Sequence, residues 1–215
     1  NRFSNNLADY SGGALFINTS TGFITNNLIA NNTATQRGGA LYCYSPVNLL
    51  QNTIVTNKAG LQGGGLYLNS ASPSLNGNIV WGNVQTASDT PNQFYLFGEG
   101  SDPEIRYCLV EAGSAGFILS PGTSYTGIYE NNLDLDPLFT GPVPSAGYHN
   151  SAADDAYSLS ESSACVDGGD PLAELLFWPL DLIGNPRLDN GRVDIGAWEK
   201  PHFTGPRLSV QPSSL

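Results

Sequence analysis

The sequence predicts an all-β fold: a solenoid of parallel strands stacked coil on coil, followed by an irregular C-terminal cap. Three observations predict it. Residue types recur with a period of about 26 through the first half of the chain. Each period holds two short apolar runs instead of the three-and-four spacing of an amphipathic helix. Glycine (25 residues) and asparagine (21) are abundant while lysine occurs only at Lys58 and Lys200, a composition poorly suited to long solvent-facing helices.

Three markers hold one register, which is the signature of stacked repeats. Gly12-Gly13-Ala14-Leu15, Gly38-Gly39-Ala40-Leu41 and Gly64-Gly65-Leu66 recur in step, as do Asn5, Asn31, Asn57 and Asn83, and as do Asn26, Asn52 and Asn78. Leu15-Phe16-Ile17, Leu41-Tyr42-Cys43 and Leu66-Tyr67-Leu68 form the first strand series. The second runs from Phe23 to Leu28, Leu49 to Ile54 and Leu75 to Val80, with a marker asparagine inside each run. Phe23 and Leu28 are five apart, which would put them on opposite faces of a straight strand. A bend at the asparagine returns both to the inside, and asparagine tolerates left-handed backbone better than other non-glycine residues.

Coils stacked at roughly 4.8 Å place like residue on like. The expected inward columns are Leu15/Leu41/Leu66, Ile17/Cys43/Leu68 and Phe23/Leu49/Leu75, with Asn26/Asn52/Asn78 as an amide ladder satisfying buried polar groups. The register continues through an insertion: Phe94-Tyr95-Leu96 falls under Leu66-Tyr67-Leu68, Pro103-Glu104-Ile105 under Pro73-Ser74-Leu75, and Cys108 on the asparagine column. The coils are assigned to residues 1–112, the cap to 113–205, and 206–215 to a linker or the start of a following domain. The chain opens at Asn1 in mid-repeat, which reads as a fragment of a longer protein.

Eight Lys and Arg against 19 Asp and Glu give a net charge of −11, so a nucleic-acid backbone or an anionic membrane surface would be repelled. Neither a run of 18 apolar residues nor a basic segment leading into an apolar one is present, so no spanning helix or signal peptide is read and no direct membrane insertion is expected.

From Asp134 the repeat gives way to turns: Asp134-Leu135-Asp136-Pro137-Leu138-Phe139, then Ser163-Ala164-Cys165-Val166-Asp167-Gly168-Gly169-Asp170-Pro171, and Val193-Asp194-Ile195-Gly196-Ala197-Trp198-Glu199. An open last coil needs a cover, and these turns are assigned that role. In these segments the chain resembles secreted bacterial right-handed parallel β-helix repeat proteins whose C-terminal module is often called the choice-of-anchor Q domain. The Gly-Gly-Ala-Leu coils are similar to those of chlamydial polymorphic membrane proteins. Ala164 stands where that pattern has Pro, and Trp198 where it has Tyr. The resemblance implies secretion or surface display, a larger parent protein and a fold shared with pectate-lyase-like enzymes. It implies no activity.

Candidate functional residues follow from the same register. Phe16, Tyr42, Tyr67 and Tyr95 each lie between inward residues, so alternation turns them outward in one column that could stack sugar rings; the alternative is a ladder that stabilises the sheet. Arg37 is carried with them as a candidate ligand contact. Asp134/Asp136, Asp154/Asp155 and Asp167/Asp170 offer hard oxygen ligands that would suit Ca²⁺, although aspartate before Gly or Pro also builds turns. Of the three cysteines, Cys43 reads as a buried hydrophobe; Cys108 and Cys165 could pair in an oxidising compartment, or remain free.

Two functions from different classes are then in play. A polysaccharide lyase or glycoside hydrolase needs a base or a carboxyl pair, yet Asp9 is the single acid within residues 1–88, and Arg37, Lys58 and Arg106 fall at different coil positions. A non-catalytic structural, adhesive or carbohydrate-contacting module of a secreted or cell-surface protein needs only a rigid stack and an aromatic face. The residues favour the second, with a polysaccharide or a cell-surface partner as the implied ligand.

Overall fold

A computed structural model of the chain describes residues 1–87, 90–150, 153–172, 179–189 and 191–202. It is a parallel β-solenoid in which each full coil carries four short strands rather than two. The second apolar run breaks into two strands at its bend, and the return path holds a two-residue strand. In one coil these are Leu41–Cys43, Asn48–Leu50, Thr53–Val55 and Lys58–Ala59. Stacking generates four five-stranded sheets, one per face. Pairing is parallel throughout the coils, with Thr90–Pro91 adding an antiparallel strand to the fourth sheet.

The first sheet runs in register as predicted, Leu15 on Leu41 on Leu66 on Phe94 and Ile17 on Cys43 on Leu68 on Leu96. The inserted segment also returns to register, with Glu104 and Ile105 beside Ser74 and Leu75. Stacking continues past residue 112 through Ile118–Leu119, Tyr129–Glu130 and a bridge from Leu109 to Leu133.

The first coil corrects the second column. Ile24, not Phe23, pairs with Leu49, and Phe23 is exposed. The interior is therefore Ile24/Leu49/Leu75/Ile105 facing Ile29/Ile54/Val80/Val110. Each of those buried aliphatic side chains stabilises the fold by roughly 1.5–3 kcal/mol. Leu28, expected inside, points out of the coil with Ala30, Val55, Ile79 and Leu109.

The asparagines shift likewise, and the reason is a division of labour at each bend. One residue takes left-handed backbone and turns its side chain outward; the next turns inward and joins a ladder. At the first bend the left-handed residues are Asn26, Gln51, Gly77, Tyr107 and Asn131, and at the second Asn5, Asn31, Thr56 and Gly82, with φ between 49° and 65°. The first ladder is then Asn27, Asn52, Asn78, Cys108 and Asn132, in place of Asn26/Asn52/Asn78. Asn27 donates its backbone N–H and its Nδ2 to Asn52 Oδ1 at 3.0 and 2.9 Å, and Asn52 does the same to Asn78. Cys108 accepts from Asn78 through sulfur and donates its N–H to Asn132. The second ladder is Asn6, Asn32, Asn57 and Asn83, closed by Gln93. The second amide hydrogen of Asn52 goes to Ile24 O and that of Asn78 to Leu49 O, so these amides are buried with their polar atoms paired.

The glycine pairs have two jobs. Gly12, Gly38 and Gly63 adopt φ of +71°, +67° and +67°, a conformation costly for other residues. A Cβ on Gly13, Gly39 or Gly64 would run into the carbonyl oxygen of Gly39, Gly64 or Val84, so adjoining coils approach too closely for a side chain. The third pair is thus Gly63-Gly64, one residue earlier than the repeat suggests.

The C-terminal module is irregular, as predicted, with a 3₁₀ turn at Asp154–Tyr157 and isolated bridges such as Phe139 to Leu159. Its contacts run along the flank of the stack, because the outward residues of the third sheet are apolar and need cover. Tyr157, Leu159, Cys165, Ile195, Ala197 and Trp198 pack on Leu28, Ala30, Val55, Ile79 and Leu109. The module also reads the left-handed residues on both sides of that sheet. Gly196 N–H donates to Gly77 O at 2.8 Å and Gly147 N–H to Thr56 O at 3.0 Å, while Tyr157 OH donates to Asn31 Oδ1 at 2.8 Å. Cys43, Cys108 and Cys165 are buried free thiols, so the candidate Cys108–Cys165 disulfide is not formed. Burial pushes Cys108 up to about 11 and Cys165 up to about 12, which makes both poor nucleophiles.

Candidate functional site

The outer side of the first sheet carries the aromatic column. Phe16, Tyr42, Tyr67 and Tyr95 stack ring on ring at 5.1, 4.8 and 5.2 Å, with interplanar angles of 15°, 16° and 5°. In-register pairing sets this spacing, since rings at equivalent strand positions lie one coil apart. Face-to-face stacking uses up the ring faces: Tyr42, Tyr67 and Tyr95 are only 6, 2 and 7 % exposed. They present edges, not platforms, so the middle of the column is a stabilising ladder.

Accessible aromatic surface lies at the margins. Phe16 is 53 % exposed at the first-coil end, and Tyr44 and Phe97, two residues along from the column, are 42 and 43 % exposed. Tyr44 meets Phe16 edge-on at 6.0 Å and Tyr42 at 5.0 Å; Phe97 lies 6.0 Å from Tyr67. Phe16 and Phe23 line a cleft of about 220 Å³ that also touches Thr21 and Val47. Tyr44 and Phe97 lie outside the repeating marker column, and Phe23, expected inside, is exposed instead. The signal for Tyr44 and Phe97 was available, since alternation turns both outward with the column.

Polar groups tie the column down. Arg37 lies over Tyr67 at 5.7 Å and donates Nε to Gln62 Oε1 at 3.0 Å; Gln62 Nε2 donates to Tyr95 OH at 3.1 Å. Tyr42 OH donates to Tyr44 OH at 3.0 Å and accepts from Asn69 Nδ2 at 2.9 Å. Burial pushes the Tyr42 and Tyr67 hydroxyls above the usual range for a phenol, so both are neutral donors at physiological pH. Arg37 therefore braces the ladder through Tyr67 and Gln62.

Three of the candidate metal aspartates, Asp134, Asp136 and Asp170, hold backbone N–H groups. Asp134 Oδ1 accepts from Ala112 N–H and Asp136 Oδ1 from Leu138 N–H, at 2.9 and 2.8 Å. Asp170 accepts from Leu172 N–H and from Asn76 Nδ2, both at 2.9 Å, and Asp167 Oδ2 faces His202 Nε2 at 3.5 Å. Among the described residues no group of three His, Cys, Asp or Glu side chains is placed to share a cation. The Asp154 side chain and residues 206–215 lie outside the described residues.

A cluster of buried charges in the module went unread in the sequence. Arg187 reaches Asn26 Oδ1, Gly196 O and Gln51 O, with Glu199 Oε2 at 3.6 Å from its Nη1. Glu199 Oε2 accepts from Asp194 N–H at 3.0 Å; Asp194 Oδ2 accepts from Lys200 N–H at 2.7 Å; Asp181 Oδ2 accepts from Glu199 N–H at 2.9 Å. Burial, with Asp194 nearby, pushes Glu199 up to about 8; burial pushes Asp194 up to about 6 and Arg187 down. Two carboxyls near one another can do acid–base work, but both Asp194 and Glu199 are buried, at 0 and 2 % exposed. The cluster clamps the module to the first bends.

Residues 1–134 match a family model described as the right-handed beta helix region. Comparison with curated proteins and with solved structures finds no match.

Proposed function

Given that the chain belongs to the right-handed β-helix family, we propose that it is a non-catalytic β-helical module of a secreted or cell-surface protein, structural or adhesive, that contacts carbohydrate. The supporting observation is the pair of exposed rings, Phe16 and Phe23, lining one cleft of about 220 Å³, with Tyr44 beside Phe16. A space of that size lined by two aromatic side chains suits a sugar ring whose C–H faces pack on π surfaces. The ladder behind it is rigid, so little ordering cost falls on binding.

A glycan array read with the wild-type protein and with Phe16→Ala and Tyr44→Ala tests this. Expected is binding to at least one glycan class that both variants lose while still melting cooperatively as folded proteins. Binding that survives both substitutions, or an array with no signal, overturns the carbohydrate contact. Release of unsaturated or reducing products from a uronate polymer overturns the non-catalytic part.

A further inference from the structure

Where the module's loop 145–150 crosses the second bends, it encloses a cleft of about 160 Å³ against the fourth sheet, lined by Thr33, Lys58, Gly147, Tyr148, His149 and Asn150. The loop is well anchored. Asn5 Nδ2 donates to Tyr148 O and Asn150 O at 3.2 and 3.0 Å, Tyr148 N–H to Thr33 Oγ1 at 2.9 Å, and Gly147 N–H to Thr56 O at 3.0 Å. Gly147 adopts φ +109°, and a Cβ there would lie 3.1 Å from Lys58 Cδ, so the loop packs on the aliphatic stem of Lys58, a residue that lines the cleft.

Lys58 is unusual among the cations. Arg37, Arg106, Arg187, Arg192 and Lys200 each engage an acceptor. Lys58 Nζ has no hydrogen-bond or ion-pair partner among the described residues, in a chain carrying −11. Thr33 beside it is able to donate as well. Thr33 Oγ1 already accepts from Tyr148 N–H, which leaves its own proton to give, and the His149 ring, tilted by 38° against Tyr148 at 3.8 Å, makes no hydrogen bond with a described residue. An ammonium offers three donors and no acceptor. Unsatisfied donors in a preformed cleft are complemented by an anion.

We propose that this cleft binds a small organic anion of up to monosaccharide size, its charged oxygens taken by Lys58 and Thr33 and its body lying against the Tyr148–His149 rings. The site is separate from the Phe16–Phe23 cleft and does not depend on it. Glucose, glucuronate, glucose 6-sulfate and glucose 6-phosphate, titrated into the wild-type protein and followed by amide and side-chain NMR, form the test, and the three anions separate carboxylate from sulfate and phosphate. Expected is at least one anion binding about tenfold or more tighter than glucose, with shifts centred on Lys58, Tyr148 and His149. Lys58→Gln should lose that preference, Lys58→Arg should keep it, and raised salt should weaken it. Because Lys58 contributes to its sheet through backbone, both variants should keep the wild-type thermal midpoint. No anion preference, shifts elsewhere on the molecule, or full retention in Lys58→Gln would falsify the assignment and make Lys58 a solvated lysine.

Discussion

The solenoid and the C-terminal module bury polar groups by opposite means. Inside the coils they are neutral carboxamides, each repeated on the next coil, so one Asn oxygen receives two N–H groups from its neighbour and the pattern propagates. In the module they are charges used once: Arg187, Asp181, Asp194 and Glu199 contact backbone, each other and the two bends beneath them. Repetition makes a contact cheap to specify and easy to read, whereas a buried charge cluster depends on each member separately.

That contrast can be broken most forcefully at Arg187. Removing it as Arg187→Met leaves Asn26 Oδ1 and the Gly196 carbonyl without their charged donor, and should cost about 3–5 kcal/mol in chemical denaturation. A change under about 1 kcal/mol would mean that the cluster is no clamp. Interrupting a ladder should cost less. Asn52→Ala orphans the N–H and Nδ2 of Asn27 and the groups that Asn52 itself paired, for about 2–3 kcal/mol, and the same substitution at outward Asn69 should cost well under half of that. The gentlest probe is pH. Glu199 is raised from its unfolded value to about 8, so its contribution is complete below about pH 4.5 and is lost as pH rises through 8. Between pH 6 and 8 stability should fall with a slope no steeper than about 1.4 kcal/mol per unit for that one proton, and Glu199→Gln should flatten it. A wild-type profile already flat over that range would remove the titration from the module.

The parts legible in sequence were those that repeat. The first sheet's register, the Cys108 position on the ladder and the return to register after the insertion all follow from matching like with like. Every slip traces to one short loop: four residues, Tyr44–Val47, join Cys43 to Asn48, where five, Asn18–Gly22, join Ile17 to Phe23. One residue is lost there, yet doublets hide it. Asn26-Asn27, Asn31-Asn32, Asn5-Asn6 and the run Gly63-Gly64-Gly65 each offer a plausible match one place off. Phe23-Ile24 is the same trap with two apolar residues. The aromatic column was foreseen with two alternatives, a ligand face and a stabilising ladder, because outward alternation says nothing about whether rings will cover each other. The charge cluster had no signal at all, since Arg187 and Glu199 lie twelve residues apart in a segment without periodicity.

One consequence of the module's position concerns how the molecule comes apart. A stack whose coils touch only their neighbours can unzip from either end, one coil at a time. Here a single segment of chain holds Asn5 of the first partial coil, Asn31, Thr56 and Gly77 of the following ones, and Leu109 near the far end. Loosening a terminal coil means peeling that splint, so melting of the coils it spans becomes all-or-none, and amides at Leu28 and Leu109 exchange with solvent through the same opening event.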